Sequence, residues 1–185
     1  MVGAGANVHA TNSRGWTPLH RSVGNGQVAA SHLLIEAGAN IHATDRHEWT
    51  PLHLSALKGL PEVLQMLVEA GGDLHAADIW GRTLLHISAC NGLAQVIQML
   101  VVAGINVNAT DIGGTTALHL SAEKGQETGT QMLIDAGANI GATDKAGQTP
   151  LDLAKQNGRS AVVTLLQQES EPLIKSAAQS AAGDQ

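Results

Sequence analysis

Thr17-Pro18-Leu19-His20 returns as Thr50-Pro51-Leu52-His53, Thr83-Leu84-Leu85-His86, Thr116-Ala117-Leu118-His119 and Thr149-Pro150-Leu151-Asp152, each 33 residues after the last. Other columns hold the same phase. Asn12, Asp45, Asp78, Asp111 and Asp144 stand five before each Thr, and Gly26, Gly59, Gly92, Gly125 and Gly158 stand nine after it. A fixed period of this length marks stacked units. Within a unit, Thr can cap a helix by accepting from an unpaired backbone N–H, and Pro next to it has no N–H to lose. His three after Thr is placed to reach back to the cap. The later glycine can end the first helix in a left-handed conformation. A second helix follows, as over Glu62 to Glu69, with Val63, Leu64, Met66 and Leu67 on one face. A pair of helices this short cannot bury its apolar face alone, so the units must stack. Function must then lie in residues that stacking does not use.

Composition agrees with thin, repeated units. The chain has no Phe, no Tyr and three Trp, so its core must be aliphatic and small. A net charge of −6 gives no general attraction to nucleic acid or to an anionic membrane. No apolar run reaches the ~18 residues of a spanning helix, and the first nine residues lack the basic and apolar regions of a signal peptide. Cys90 is the one cysteine, which excludes an intrachain disulfide and points to a reducing, cytoplasmic or nuclear compartment. The sequon Asn108-Ala109-Thr110 is then incidental.

The period and the Thr-Pro-Leu-His tetrapeptide resemble the ankyrin-repeat family, over residues 1 to 169. The resemblance implies an all-α solenoid of stacked helix-turn-helix units joined by hairpin-like loops. Units are expected at 12–44, 45–77, 78–110, 111–143 and 144–169, with residues 1–11 as the tail of a preceding repeat and 170–185 as a disordered tail. Because residues 1–11 look like a helix end and loop without their helices, the array is expected to be cut from a longer one. Two positions depart from the framework. Gly129-Thr130 replaces the Val-Leu, Val-Ile and Val-Val of other second helices, which predicts a soft joint between units four and five. Glu48 occupies a column otherwise held by Gly15, Gly81, Gly114 and Gly147, which predicts strain if that turn needs positive φ.

Catalytic signatures are wanting. Seven of the nine histidines are periodic: His20, His53, His86 and His119 in the capping column, and His9, His42 and His75 in a loop column. Lone stacked imidazoles make a poor zinc site, and no metal or cofactor is expected. Gly3-Ala4-Gly5 lacks the third glycine of a nucleotide fingerprint. Cys90 has no nucleophile signature and suits a small, partly buried helix position.

In the ankyrin family, partners are held most often by loop tips and the inner face of the first helices. Carried onto this sequence, the resemblance implies a partner-binding face of Arg14, Trp16, Arg46, His47, Trp49, Leu57, Ile79, Trp80, Arg82 and Cys90. All three tryptophans and three of the five arginines fall in these columns, within the first three units. Both residue types are enriched at binding hot spots. A competing reading has the tryptophans pack on neighbouring loops. The expected function is a non-catalytic module (adaptor, scaffold or inhibitor) for another protein, monomeric unless its N-terminal edge self-associates. A second reading is the recognition part of a larger enzyme or channel. The resemblance also makes Asn108, with Leu100 eight residues earlier, a candidate for hydroxylation by an asparaginyl hydroxylase.

Overall fold

The computed structural model describes residues 7–170. Each Thr column opens a helix as its chemistry dictates. The hydroxyls of Thr17, Thr50 and Thr116 accept from the N–H three residues on, and the imidazole Nδ1 accepts in return from the cap N–H at 3.1–3.3 Å. At Thr83 the returning bond from the cap N–H to His86 Nδ1 is 3.2 Å. In the fifth unit Asp152 takes the place of the imidazole and accepts from the Thr149 N–H at 3.0 Å.

The first helices are α1 (Pro18–Gly24), α3 (Pro51–Lys58), α5 (Leu84–Cys90), α7 (Ala117–Lys124) and α9 (Pro150–Gln156). The second helices are α2 (Val28–Glu36), α4 (Pro61–Glu69), α6 (Ala94–Val102) and α8 (Glu127–Asp135), and α10 runs from 160 to the last described residue, 170. Thus α4 starts at Pro61, one residue before the expected Glu62, because a proline at N1 loses no hydrogen bond. Likewise α10 continues through Ser170, one residue past the expected end of the fifth unit; the remainder of the 170–185 tail lies outside the described residues, as do residues 1–6 of the preceding-repeat tail.

First helices pack in file, α1 on α3, α3 on α5, α5 on α7 and α7 on α9, while α2, α4, α6 and α8 form a second layer behind them. Between the layers lie two leucine columns, Leu19, Leu52, Leu85 and Leu118 facing Leu67, Leu100, Leu133 and Leu166, all buried. Each such side chain contributes about 2 kcal/mol of burial. Ser22, Ser55 and Ser88, buried on the first helices, return their hydroxyls to Leu19, Leu52 and Leu84 carbonyls. Small residues here keep the layers close, which is why the core needs no aromatic ring.

The buried apolar network is divided. One cluster runs from Leu19 to Ala138, and a second, of Ala122, Ala154, Val162 and Leu166, belongs to the last joint. Gly129 and Thr130 are buried in α8, where Gly129 faces Ile97 of α6, so the missing side chain falls on the joint with unit three and not, as expected, on that with unit five. Thr130 is wholly buried and shares a 2.9 Å hydrogen bond with Ser121, where a branched aliphatic side chain stands in the other later units. No void marks Gly129, since a Cβ there would meet Ile97 Cδ1 and Ser121 Oγ at 3.2 Å. The first unit repeats the device with Ser31, bonded to Ser22 at 2.9 Å, a polar substitution that the hydrophobic pattern passes over.

Loops between units are hairpin-like, with isolated bridges at Ala77–Thr83 and Thr110–Thr116. Their tips are joined by single backbone bonds from Arg46, Ile79, Ile112 and Lys145 N–H to the carbonyls of Arg14, His47, Trp80 and Gly113. The tips thereby form one continuous edge alongside the first helices.

Candidate functional site

Each tip is shaped by its Asp (or Asn) column. Oδ1 of Asp45 accepts from the His47 and Trp49 N–H at 2.8 and 3.0 Å, and Oδ1 of Asp78 from Trp80 and Arg82 at 3.0 and 2.9 Å. One carboxylate oxygen thus folds the turn on its own side, leaving Oδ2 for a neighbour. In the first two joints that neighbour is tryptophan. Trp16 Nε1–H donates to Asp45 Oδ2 at 3.0 Å, and Trp49 Nε1–H to Asp78 Oδ2 at 3.1 Å. Asp78 Oδ2 also receives Arg82, with Nε at 2.8 Å and Nη2 at 2.7 Å. Burial raises the pKa of both aspartates, but these donors outweigh it and hold both carboxyls below their ordinary value.

The expected site residues therefore separate. Trp16 and Trp49 are half-buried against the core and tie one unit to the next, as the packing alternative has it. Each indole N–H donates to a carboxylate of the next unit, Asp45 half-buried and Asp78 buried, so both rings are part of the joints. Arg82 is likewise held by Asp78, with its guanidinium 4.6 Å from the Trp80 ring centroid and 6.0 Å from that of Trp49. Trp80 stands in a different column, two residues after Asp78, and is 39 % exposed. It stacks with His47 from the preceding tip, at 5.4 Å between centroids. Ile79 is exposed beside it, while Leu57 and Cys90 are half-buried on the first helices. Arg14 and Arg46 are exposed at their tips.

These side chains enclose two adjoining hollows. One, of about 350 Å³, lies among Arg14, Trp16, Asp45, Arg46 and His47. The other, of about 400 Å³, is shared by Trp16, Trp49, Trp80, Leu54, Leu57, Lys58 and Arg82, with Asp45 and His47 common to both. Cys90 and Ile87 line a smaller hollow of about 110 Å³ across Arg82 and Leu57. Nine of the ten expected face residues border one of these spaces, and Ile79 lines none of them. Lys58, Leu54 and Asn25 are added. Lys58 directly follows Leu57 of the expected face, whereas Leu54, one turn before Lys58, required the three-dimensional stack.

Three of the four capping imidazoles are engaged at both ring nitrogens. His20, His86 and His119 direct Nε2 to the carbonyls of Trp49, Thr115 and Gln148 at 2.9, 2.9 and 3.1 Å. With Nδ1 accepting from the cap, each is a neutral ring protonated on Nε2. His53 makes the same cap but its buried Nε2 has no partner. Burial lowers the pKa of His20, His53 and His86. Among the described residues no cluster of His, Cys, Asp or Glu could hold a metal, and no helix is long and apolar enough to cross a membrane.

Asn108 is committed to the stack at both amide atoms. Its Nδ2–H donates to the Gly137 carbonyl at 3.1 Å, and its Oδ1 accepts from the Asn139 N–H at 2.8 Å. An enzyme acting on Asn108 must first open that loop.

The family model for ankyrin repeats (3 copies) matches residues 1–78 and 85–176. No curated protein matches the chain.

Proposed function

The chain belongs to the ankyrin-repeat family, generally modules for protein–protein interaction and typically non-catalytic, and on that premise we propose that it binds a partner protein through the first three units. The contact surface is the edge of loop tips and the inner face of α1, α3 and α5. The observation that carries this reading is the 400 Å³ hollow, walled by Trp80 and Arg82 and floored by Leu54 and Leu57. Apolar depth beside a half-exposed indole is the form that binding hot spots take. Matching columns of units four and five hold Gly113, Thr115, Ala146 and Gln148, which offer little contact area. The backbone strain at Glu48 lies in the same loop as His47, and strain of this kind gathers where a surface is shaped for contact. The same face would serve whether the array works alone or as the recognition part of a larger protein.

Affinity capture tests this with three baits: the wild type, an Ile79→Ala/Trp80→Ala variant, and Ile112→Ala on unit four as control. A partner retained by the wild type and the control but lost by the double variant is the expected result. Retention by all three baits, or loss by the control alone, overturns the assignment.

A further inference from the structure

We infer that the segment bound at this face is an extended acidic peptide, with an apolar side chain seated between Asp or Glu residues; this rests on the binding face proposed above. The overall charge is −6, yet the two hollows are lined by four cations, Arg14, Arg46, Lys58 and Arg82, of which Arg82 alone is neutralised, by Asp78, against one lining carboxylate, Asp45. That carboxylate is occupied by the Trp16 indole and two backbone N–H groups. Glu48 stands in the same loop but lines neither hollow. Arg14, Arg46 and Lys58 are exposed and pair with no carboxylate among the described residues. The acids of the first two units that could have neutralised them are elsewhere: Glu36 is on α2, Glu62 and Glu69 on α4, and Asp73 in the following turn. Four of the six acids of the first two units thus lie away from the hollows, which leaves unpaired positive charge beside them. Lys124 of unit four, by contrast, is paired with Glu123 at 2.8 Å.

Two further features select a peptide over a polyanionic backbone. The centre between the cations is apolar, made by Leu54, Leu57 and Trp49, and accepts a side chain rather than a phosphate. Every indole already carries an imidazole stacked at 5.4–6.4 Å, which takes ring surface that base stacking would use. Arg14 and Arg46 lie on consecutive tips joined by the Arg46 N–H to Arg14 carbonyl bond, so an extended chain crossing the tips meets both.

The test is selection from a phage-displayed random dodecapeptide library on the full chain, followed by fluorescence anisotropy with the winning peptides. The expected peptides carry a surplus of Asp and Glu around one apolar residue. Replacing their acids by Lys, or the protein's Arg46→Glu/Lys58→Glu, weakens binding by at least ~10-fold, and raised salt weakens it too. Lys145→Glu on unit five leaves affinity unchanged. Peptides without an acidic surplus that still lose affinity on Trp80→Ala overturn the acidic assignment and leave the face standing. Acidic peptides that bind Ile79→Ala/Trp80→Ala as well as wild type overturn the face itself. An empty selection, or capture of a uridine dodecanucleotide or phosphatidylserine vesicles in place of any peptide, overturns the peptide assignment.

Discussion

The indole N–H of Trp49 donates to Oδ2 of Asp78 at 3.1 Å, across the joint between the second and third units. Asp78 gathers donors from Trp49, Trp80 and Arg82, and its side chain is fully buried. One residue thus sets the third tip, fixes Arg82 and holds the preceding tryptophan. Asp78→Ala would strand these donors. It is expected to cost about 2–3 kcal/mol, less than for a wholly buried ion pair because Arg82 can turn to water. Trp49→Phe keeps an aromatic ring but loses the bond and part of the packed indole, at about 1–2 kcal/mol. Trp80→Ala should stay within about 1 kcal/mol, since that ring is partly in solvent and donates to no carboxylate. Urea denaturation of the three variants gives the order; a Trp80 variant less stable than the Asp78 variant would contradict it.

Glu48 holds φ at 61°, alone among described non-glycine residues in that region, whereas Gly15, Gly81, Gly114 and Gly147 hold 75–83° at the equivalent positions. A left-handed L-residue costs roughly 1–2 kcal/mol. Glycine relieves it but adds freedom to the unfolded chain. Glu48→Gly should therefore raise stability by a net ~0.5 kcal/mol. Gly81→Ala should lower it by at least ~1 kcal/mol, because its Cβ would also meet the Ile112 backbone nitrogen at 3.2 Å. Thermal melts of the pair check both signs.

Much of this architecture is legible in the linear chain because its causes are local. Thr and His lie three apart in one capping box, and the glycine column needs only its own φ. The site is less legible because its bonds cross units. Trp16 and Asp45 are 29 residues apart, as are Trp49 and Asp78, and a periodic table of columns does not show which atoms of two columns meet. Trp80 shares a residue type with Trp16 and Trp49 but not their column, so counting three tryptophans together merges two joints with one exposed ring. Ser31 escapes notice because its compensation, the Ser22 hydroxyl, belongs to another helix.

Acid should loosen the stack through the capping histidines. Burial holds His20, His53 and His86 below the ordinary 6.5. The unfolded chain therefore takes up protons first as pH falls, and folding is opposed. Stability from these rings is fully present above pH 6.5 and is lost progressively as pH drops from there through the lowered folded values. Protonation would also place an Nδ1–H against the cap N–H, breaking the box. Melting temperature should fall steadily between pH 7 and 5, and His20→Gln/His86→Gln should flatten that slope while lowering stability throughout. A slope unchanged in the double variant would assign the pH response to other groups.

The last two units should open first. Buried apolar contacts divide between Leu133 and the small Ala122, Ala154, Val162 and Leu166 cluster, and the intervening α8 supplies Gly129 and Thr130 where α6 supplies Val96 and Ile97. A glycine within a helix costs ~1 kcal/mol against alanine, and a threonine in place of isoleucine gives up part of a burial term of similar size. The Ser121–Thr130 bond satisfies the hydroxyls but restores little of this, since both groups were bonded to water in the unfolded chain. Stability in a solenoid adds through neighbouring interfaces, so a weak interface lets the units beyond it open separately. Amides of α8 and α9 should exchange faster than those of α5 and α6, and Thr130→Ile should narrow the gap. Equal protection across the four helices would show that the array opens as one unit.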